Sequence, residues 1–139
     1  MSIEFLVYIV VGFYITIYDL KYKIIPDIII LPAILFLIFL RLFDETINLD
    51  YLYAIIFIVI VFVLPILLNL RFGGGDIRFG IFSAILLGFP NIVWFITISA
   101  LFHLLILLIL KKKEYPFAPS MFTASIVVYF LNDILWNLI

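Results

Sequence analysis

Apolar residues run along this chain in long blocks broken by short polar knots. The blocks are Ile3 to Tyr18, Ile24 to Phe43, Tyr51 to Leu70, Ile77 to Phe89, Ile92 to Leu110 and Phe117 to Leu138. About 20 apolar residues in a helix cross a bilayer core, so the pattern predicts six membrane-spanning helices. The fourth block is short. It is expected to tilt, to be half-buried, or to draw in part of the glycine run before it.

The knots carry most of the charge. They read Lys21-Tyr22-Lys23, Asp44-Glu45 through Asp50, Arg71 to Arg78, Pro90-Asn91, and Lys111 to Glu114. Six spans put alternate knots on alternate sides. One side then collects Lys21, Lys23, Arg71, Arg78, Lys111, Lys112 and Lys113, and the other only Arg41. Basic connectors stay in the cytoplasm, which places both termini outside. Prolines mark several helix ends. Pro26 stands where the second helix begins, a position that tolerates its missing N–H, and Asp27 beside it suits the positive end of the helix dipole. Pro65 predicts a kink in the third helix and Pro32 one in the second. Asn69 is placed to satisfy the backbone freed near that kink. Pro116 and Pro119 bracket the entry to the sixth.

Composition sharpens the class. The chain of 139 residues is 68% hydrophobic, and its mean hydropathy is +1.43. Soluble domains are about half apolar, so the expected fold is all-α and polytopic, one membrane-embedded domain over residues 1–139 in contact with the lipid bilayer. A net charge of −1 gives no sign of nucleic acid. With no cysteine, disulfides, thiolate nucleophiles and cysteine-bound zinc are excluded. A single histidine builds no multi-histidine metal site. The first apolar block has Glu4 where a signal peptide has basic residues, and no small-residue cleavage site follows, so it is read as a retained span.

The acids separate by side. Glu4, Asp44, Glu45, Asp50 and Asp133 fall outside, Glu114 lies in the lysine run, and Asp19, Asp27 and Asp76 fall at the cytoplasmic helix ends. Glu4 and Asp19 are separated by roughly 22 Å of helix, which puts them at opposite faces of the membrane. Asp19 ends the first span, and Asp76 follows Gly73, Gly74 and Gly75 at the start of the fourth. Topology puts both at one depth. Their contexts echo each other, Asp19-Leu20-Lys21-Tyr22 against Asp76-Ile77-Arg78-Phe79. Two facing carboxyls cannot both ionise easily, so one keeps a proton while the other works as a base on water. Such a pair hydrolyses a peptide without metal or covalent nucleophile. Glycines before Asp76 are expected to form a loop whose backbone freedom lets an extended peptide pass close by.

These residues resemble the prepilin peptidase family, the membrane aspartyl proteases that process type IV prepilins and archaeal preflagellins. "YDLKYKIIPD" matches the family's Asp, a basic residue two later, then Ile-Pro and an acid or amide. "GGGDIR" matches its Gly-x-Gly-Asp with a basic residue two later. "YPFAPS" is a weaker echo of its Pro-Phe-(Gly/Ala)-Pro. The resemblance implies that Asp19 and Asp76 are catalytic, with Lys21, Pro26, Asp27, Gly73, Gly75 and Arg78 as supporting motif positions. It implies no metal and no cofactor. It implies an endopeptidase of the plasma or inner membrane, active at the cytoplasmic face. The substrate would carry a short basic leader and a hydrophobic helix, as prepilins, pseudopilins and preflagellins do. Members that also methylate the new N-terminus carry an added region with paired Cys-x-x-Cys, which is missing here, so the chain resembles a peptidase-only member. Signal peptide peptidases and presenilins also use Tyr-Asp and Gly-x-Gly-Asp, but on adjacent spans and with a later Pro-Ala-Leu that this chain lacks.

Plainer readings stand beside these. Asp19 and Asp76 as helix-end acids paired with Lys21 and Arg78 would serve a scaffold, and as ion ligands a small ion-coupled carrier. Carrier sites lie near the bilayer midplane, whereas these acids lie at one face. Asp27 reads first as a helix N-terminal acid. His103 reads as a buried neutral histidine with one hydrogen-bonded partner, far from the charged ends. Lys111 to Lys113 are expected to face anionic headgroups, outside the cleft. Trp94, Tyr129 and Trp136 read as interfacial or packing residues.

Overall fold

The computed structural model describes residues 2–46, 48–68, 73–111 and 113–136, with side chains through 132. Asn69, Arg71, Phe72 and Lys112, and the side chains of Asp133 and Trp136, lie outside the described residues. Six helices form: α1 (Ile3–Tyr22), α2 (Asp27–Phe43), α3 (Leu49–Leu67), α4 (Gly74–Leu87), α5 (Asn91–Leu110) and α6 (Ala118–Trp136). No strand occurs among the described residues. Of the six, α1, α3 and α5 are long and apolar enough to cross a membrane.

Local chemistry explains the helix ends. Ser2 caps α1 by accepting the Phe5 N–H, and Glu4 stands in its first turn. α1 ends at Lys23, whose left-handed backbone (φ 55°) lets its N–H return to the Asp19 carbonyl. Asn48 caps α3 through the Asp50 N–H. Pro26 is the N-cap of α2, one residue before the first helical position. Pro32 and Pro65 lie within helices α2 and α3. α4 starts earlier than the apolar block predicts, because Gly74 and Gly75 belong to its first turn. A helix's first N–H groups have no intrahelical partner, so glycines cost less there than in its middle.

Contacts between helix ends show strict up-and-down alternation. At one end Glu4 of α1 pairs with Arg41 at the close of α2, 3.5 Å away. Arg41 also donates to the Leu86 carbonyl near the close of α4 and lies over the ring of Tyr51 at the start of α3. At the other end Asp19, late in α1, meets Ala118 at the start of α6, and Asp27 of α2 pairs with Arg78 of α4.

Helix α4 is the hub and packs against the other five. Phe79, Gly80 and Phe82 through Leu87 are all buried, which suits a short helix enclosed by neighbours rather than one facing a single core. Gly80 allows that closeness, because a Cβ there would lie 2.7 Å from Ile58 and 2.8 Å from Phe62 of α3. Tyr8 ties α1 to α4 and α6: its hydroxyl lies 2.7 Å from both Ser83 Oγ and Ser125 Oγ. The outer surface is the greasy one. Ile28, Phe43 and Ile109 are 84%, 77% and 76% exposed, while Glu4, Asp19 and four serines are buried. Polar groups within and large apolar side chains without are what a lipid solvent selects.

Candidate functional site

The end that gathers the close of α1, α3 and α5 with the start of α2, α4 and α6 holds two adjoining cavities, of about 480 Å³ and about 570 Å³. Asp19, Lys23, Gly73 and Asp76 line both. Ile24 through Asp27, Gly74, Gly75 and Arg78 complete the first, and His103 with Lys113 through Phe117 complete the second. The two acids expected to meet therefore share one floor, although they come from separate helices.

Each acid is held by a helix start. Asp19 is 5% exposed and accepts the Ala118 N–H on Oδ2 at 3.2 Å. Ala118 opens α6, so this is one of the N–H groups that no carbonyl of its own helix can satisfy. The Phe117-Ala118-Pro119 echo thus brings a backbone donor to Asp19. Asp76 stands in the first turn of α4, before the apolar block begins at Ile77. Its N–H donates to the Gly73 carbonyl, and its carboxylate turns back to accept the Gly73 N–H, the one half of a capping box that a glycine N-cap allows. Burial pushes the Asp76 carboxyl up to about 6 from its ordinary 3.8, the negative charge of Asp19 adds to the rise, and the Gly73 bond opposes it.

The glycines differ from the expected loop. Gly73 has φ −81° and ψ 137°, open to any residue, and Gly74 and Gly75 are helical. What they allow is proximity. A Cβ on Gly73 would stand 3.2 Å from Asp76 Oδ2, and one on Gly75 would stand 2.8 Å from Ile25 Cβ, while Gly74 has open space. Gly75 lets the start of α4 lie against the α1–α2 connector, next to Asp19.

Among the supporting positions, Pro26 and Asp27 line the first cavity with Arg78. Arg78 pairs with Asp27, so the pairing of Arg78 with Asp76 is replaced by one between helices. Lys21 is exposed and lies over its neighbour Tyr22, 5.1 Å from the ring centre. It does not line either cavity. Lys23 does, because the left-handed cap at the end of α1 turns it toward the acids. Lys113 lines the second cavity, against the expectation that the lysine run stays clear of it. α5 closes on a left-handed residue, Lys111.

His103 is the larger surprise. It lines the second cavity with Asp19 and Asp76 rather than lying far from the charged end. The histidine is only partly buried, and its Nδ1 lies 3.4 Å from Ser120 Oγ. The local sequence gives no hint of this, since His103 sits inside an unbroken apolar run. Only the two-turn distance from the end of α5 points to it.

A model of the type IV leader peptidase family matches residues 6–109, which contain Asp19 and Asp76 and stop short of Tyr115 to Ser120. No curated protein and no solved structure matches the chain. With well over half its length matched, the chain belongs to the type IV leader peptidase family.

Proposed function

We propose that this leader peptidase is a membrane aspartyl endopeptidase whose working groups are Asp19 and Asp76. Its substrates are prepilin-like: a short basic leader followed by a hydrophobic helix that stays in the bilayer. The observation that carries the reading is the shared cavity floor, where the charge of one acid helps keep a proton on the other.

The chemistry follows from that asymmetry. Asp76 holds the proton, so Asp19 is the ionised partner. Asp19 takes a proton from a water lying between them as the water oxygen attacks the scissile carbonyl carbon. Asp76 gives its proton to the carbonyl oxygen, and a neutral tetrahedral diol results. Collapse returns the hydroxyl proton to Asp76, the amine leaves with the proton held on Asp19, and both acids regain their starting states. The Ala118 N–H fixes the rotation of Asp19, and the Gly73 N–H fixes that of Asp76. An extended peptide crossing this floor lies with one side in each cavity.

The proposed topology is six spans with both termini outside and the acids at the cytoplasmic face. Lys21, Lys23, Arg78, Lys111 and Lys113 stand at the acid end and Arg41 at the opposite end, which supports this orientation. The test is mass spectrometry of a peptide carrying a basic leader and an apolar helix after incubation with the purified enzyme in lipid. One cut between leader and helix is expected. Cleavage scattered along the peptide, or none, would overturn the assignment.

A further inference from the structure

We propose that His103 is a positioning residue for Asp19, acting through the start of α6. This rests on the reading of Asp19 as a working group. His103 grips α6 at two points. Its ring meets that of Phe117 edge-on, with centres 4.8 Å apart at 90°. Its Nδ1 and the fully buried Ser120 Oγ are 3.4 Å apart. Phe117 and Ser120 bracket Ala118, whose N–H holds Asp19 Oδ2. The Phe117 carbonyl accepts the N–H groups of Ser120 and Met121, so Phe117 is the cap that starts the helix. A shift of that cap moves the Ala118 N–H with it.

Proline at 119 lies in the first turn of α6, where its missing N–H costs no intrahelical bond. The hold of α5 on this helix start therefore lies in side chains, His103 on Phe117 and on Ser120. An aliphatic residue at 103 could pack on Phe117 but could not bond Ser120. Among the described residues, the charged groups lining this cavity are Asp19 of α1, Lys23 just past its end, Asp76 of α4, and Lys113 and Glu114 between α5 and α6.

The experiment compares wild type with His103→Ala, His103→Phe, His103→Gln and Ser120→Ala in lipid, reading leader-peptide cleavage against pH and hydrogen exchange at the Ala118 amide. For His103→Ala, kcat is expected to fall about tenfold to a hundredfold with KM little changed, as for a misplaced reacting group. The acid limb of the pH profile should move upward, because a carboxylate that loses a donor protonates more readily. Exchange at Ala118 should speed up. His103→Phe keeps a ring against Phe117 but not the bond to Ser120, and it and Ser120→Ala should show the same changes in smaller measure. His103→Gln should recover most of the rate. An unshifted pH profile together with unchanged exchange at Ala118 would overturn the proposal, whatever happens to the overall rate. Should wild type cleave nothing, the proposed function fails, while the Ala118 exchange of His103→Ala still decides whether His103 holds this helix start. The conservative Ser120→Ala keeps that decision open if His103→Ala does not fold.

Discussion

Burial and the neighbouring charge of Asp19 raise the Asp76 carboxyl, and that sets a pH dependence. Below about pH 6 its carboxyl is protonated and able to donate; as pH rises through about 6 that form is lost. kcat/KM measured across this range should therefore fall on the alkaline side with a limb near about 6, and a rate still climbing there would contradict the assignment. Stability changes in the same direction. The folded state binds this proton more tightly than the unfolded one, so the contribution is present at low pH and lost as pH climbs from 3.8 through about 6. The neighbouring glycines make a paired test. Gly75→Ala puts a methyl 2.8 Å from Ile25 Cβ, a stem atom that cannot swing aside, and should cost about 1–3 kcal/mol. Gly74→Ala meets open space in a helical turn and should be neutral or stabilising by about 0.4–1 kcal/mol. Chemical or thermal unfolding of the two variants reads the difference. At this scale the sequence placed residues together better than it explained their packing. The Gly-x-Gly-Asp spacing singled out Gly73 and Gly75, the two glycines of the run where a Cβ would be crowded, but backbone angle was the wrong reason. Lys23 was legible only as a charge, since nothing in Lys-Tyr-Lys says which lysine the left-handed cap turns inward.

Helix α4 works as an element because it is buried all round and short. Its first turn carries Asp76, and its later turns are locked by Phe79, Phe82 and the Tyr8–Ser83–Ser125 network. Tyr8→Phe removes one hydroxyl from that network. Ser83 keeps its bond to the Phe79 carbonyl and Ser125 its bond to the Phe122 carbonyl, so no serine is left without an acceptor. The expected loss is about 0.5–1.5 kcal/mol in unfolding from mixed micelles, the range of interhelical hydrogen bonds in membranes. A loss several times larger would mean that Tyr8 holds the bundle in some further way. All six helices were visible as apolar blocks. The start of α4 was left open between Ile77 and the glycine run, because glycines read as breakers in a sequence and are tolerated in a helix's first turn. The pairing of Arg78 with Asp27 was hidden for a similar reason. Sequence distance favoured the adjacent acid, whereas packing of α2 on α4 favours the distant one.

Over the whole molecule, alternating helices bring separate chain segments to one end, and the charges divide accordingly. The chain has no cysteine, so a single introduced thiol reports its side without ambiguity. A membrane-impermeant reagent should label Asn48→Cys in intact cells and Lys113→Cys only after the membrane is opened. The reverse pattern would put the acids on the face opposite the proposed leader. The proposed sidedness rests on the alternation of basic connectors along the sequence. The second cavity wall was not readable, because His103 comes from the middle of an apolar run and reaches the site only once α5 folds beside α6. The central claim is that Asp19 and Asp76 act together on one water. Cleavage of a leader-bearing substrate by Asp19→Asn and by Asp76→Asn, each checked for native unfolding behaviour, tests it most directly. The account predicts that either change alone lowers kcat by about a thousandfold or more with the protein still folded. Either variant retaining near wild-type turnover would contradict it.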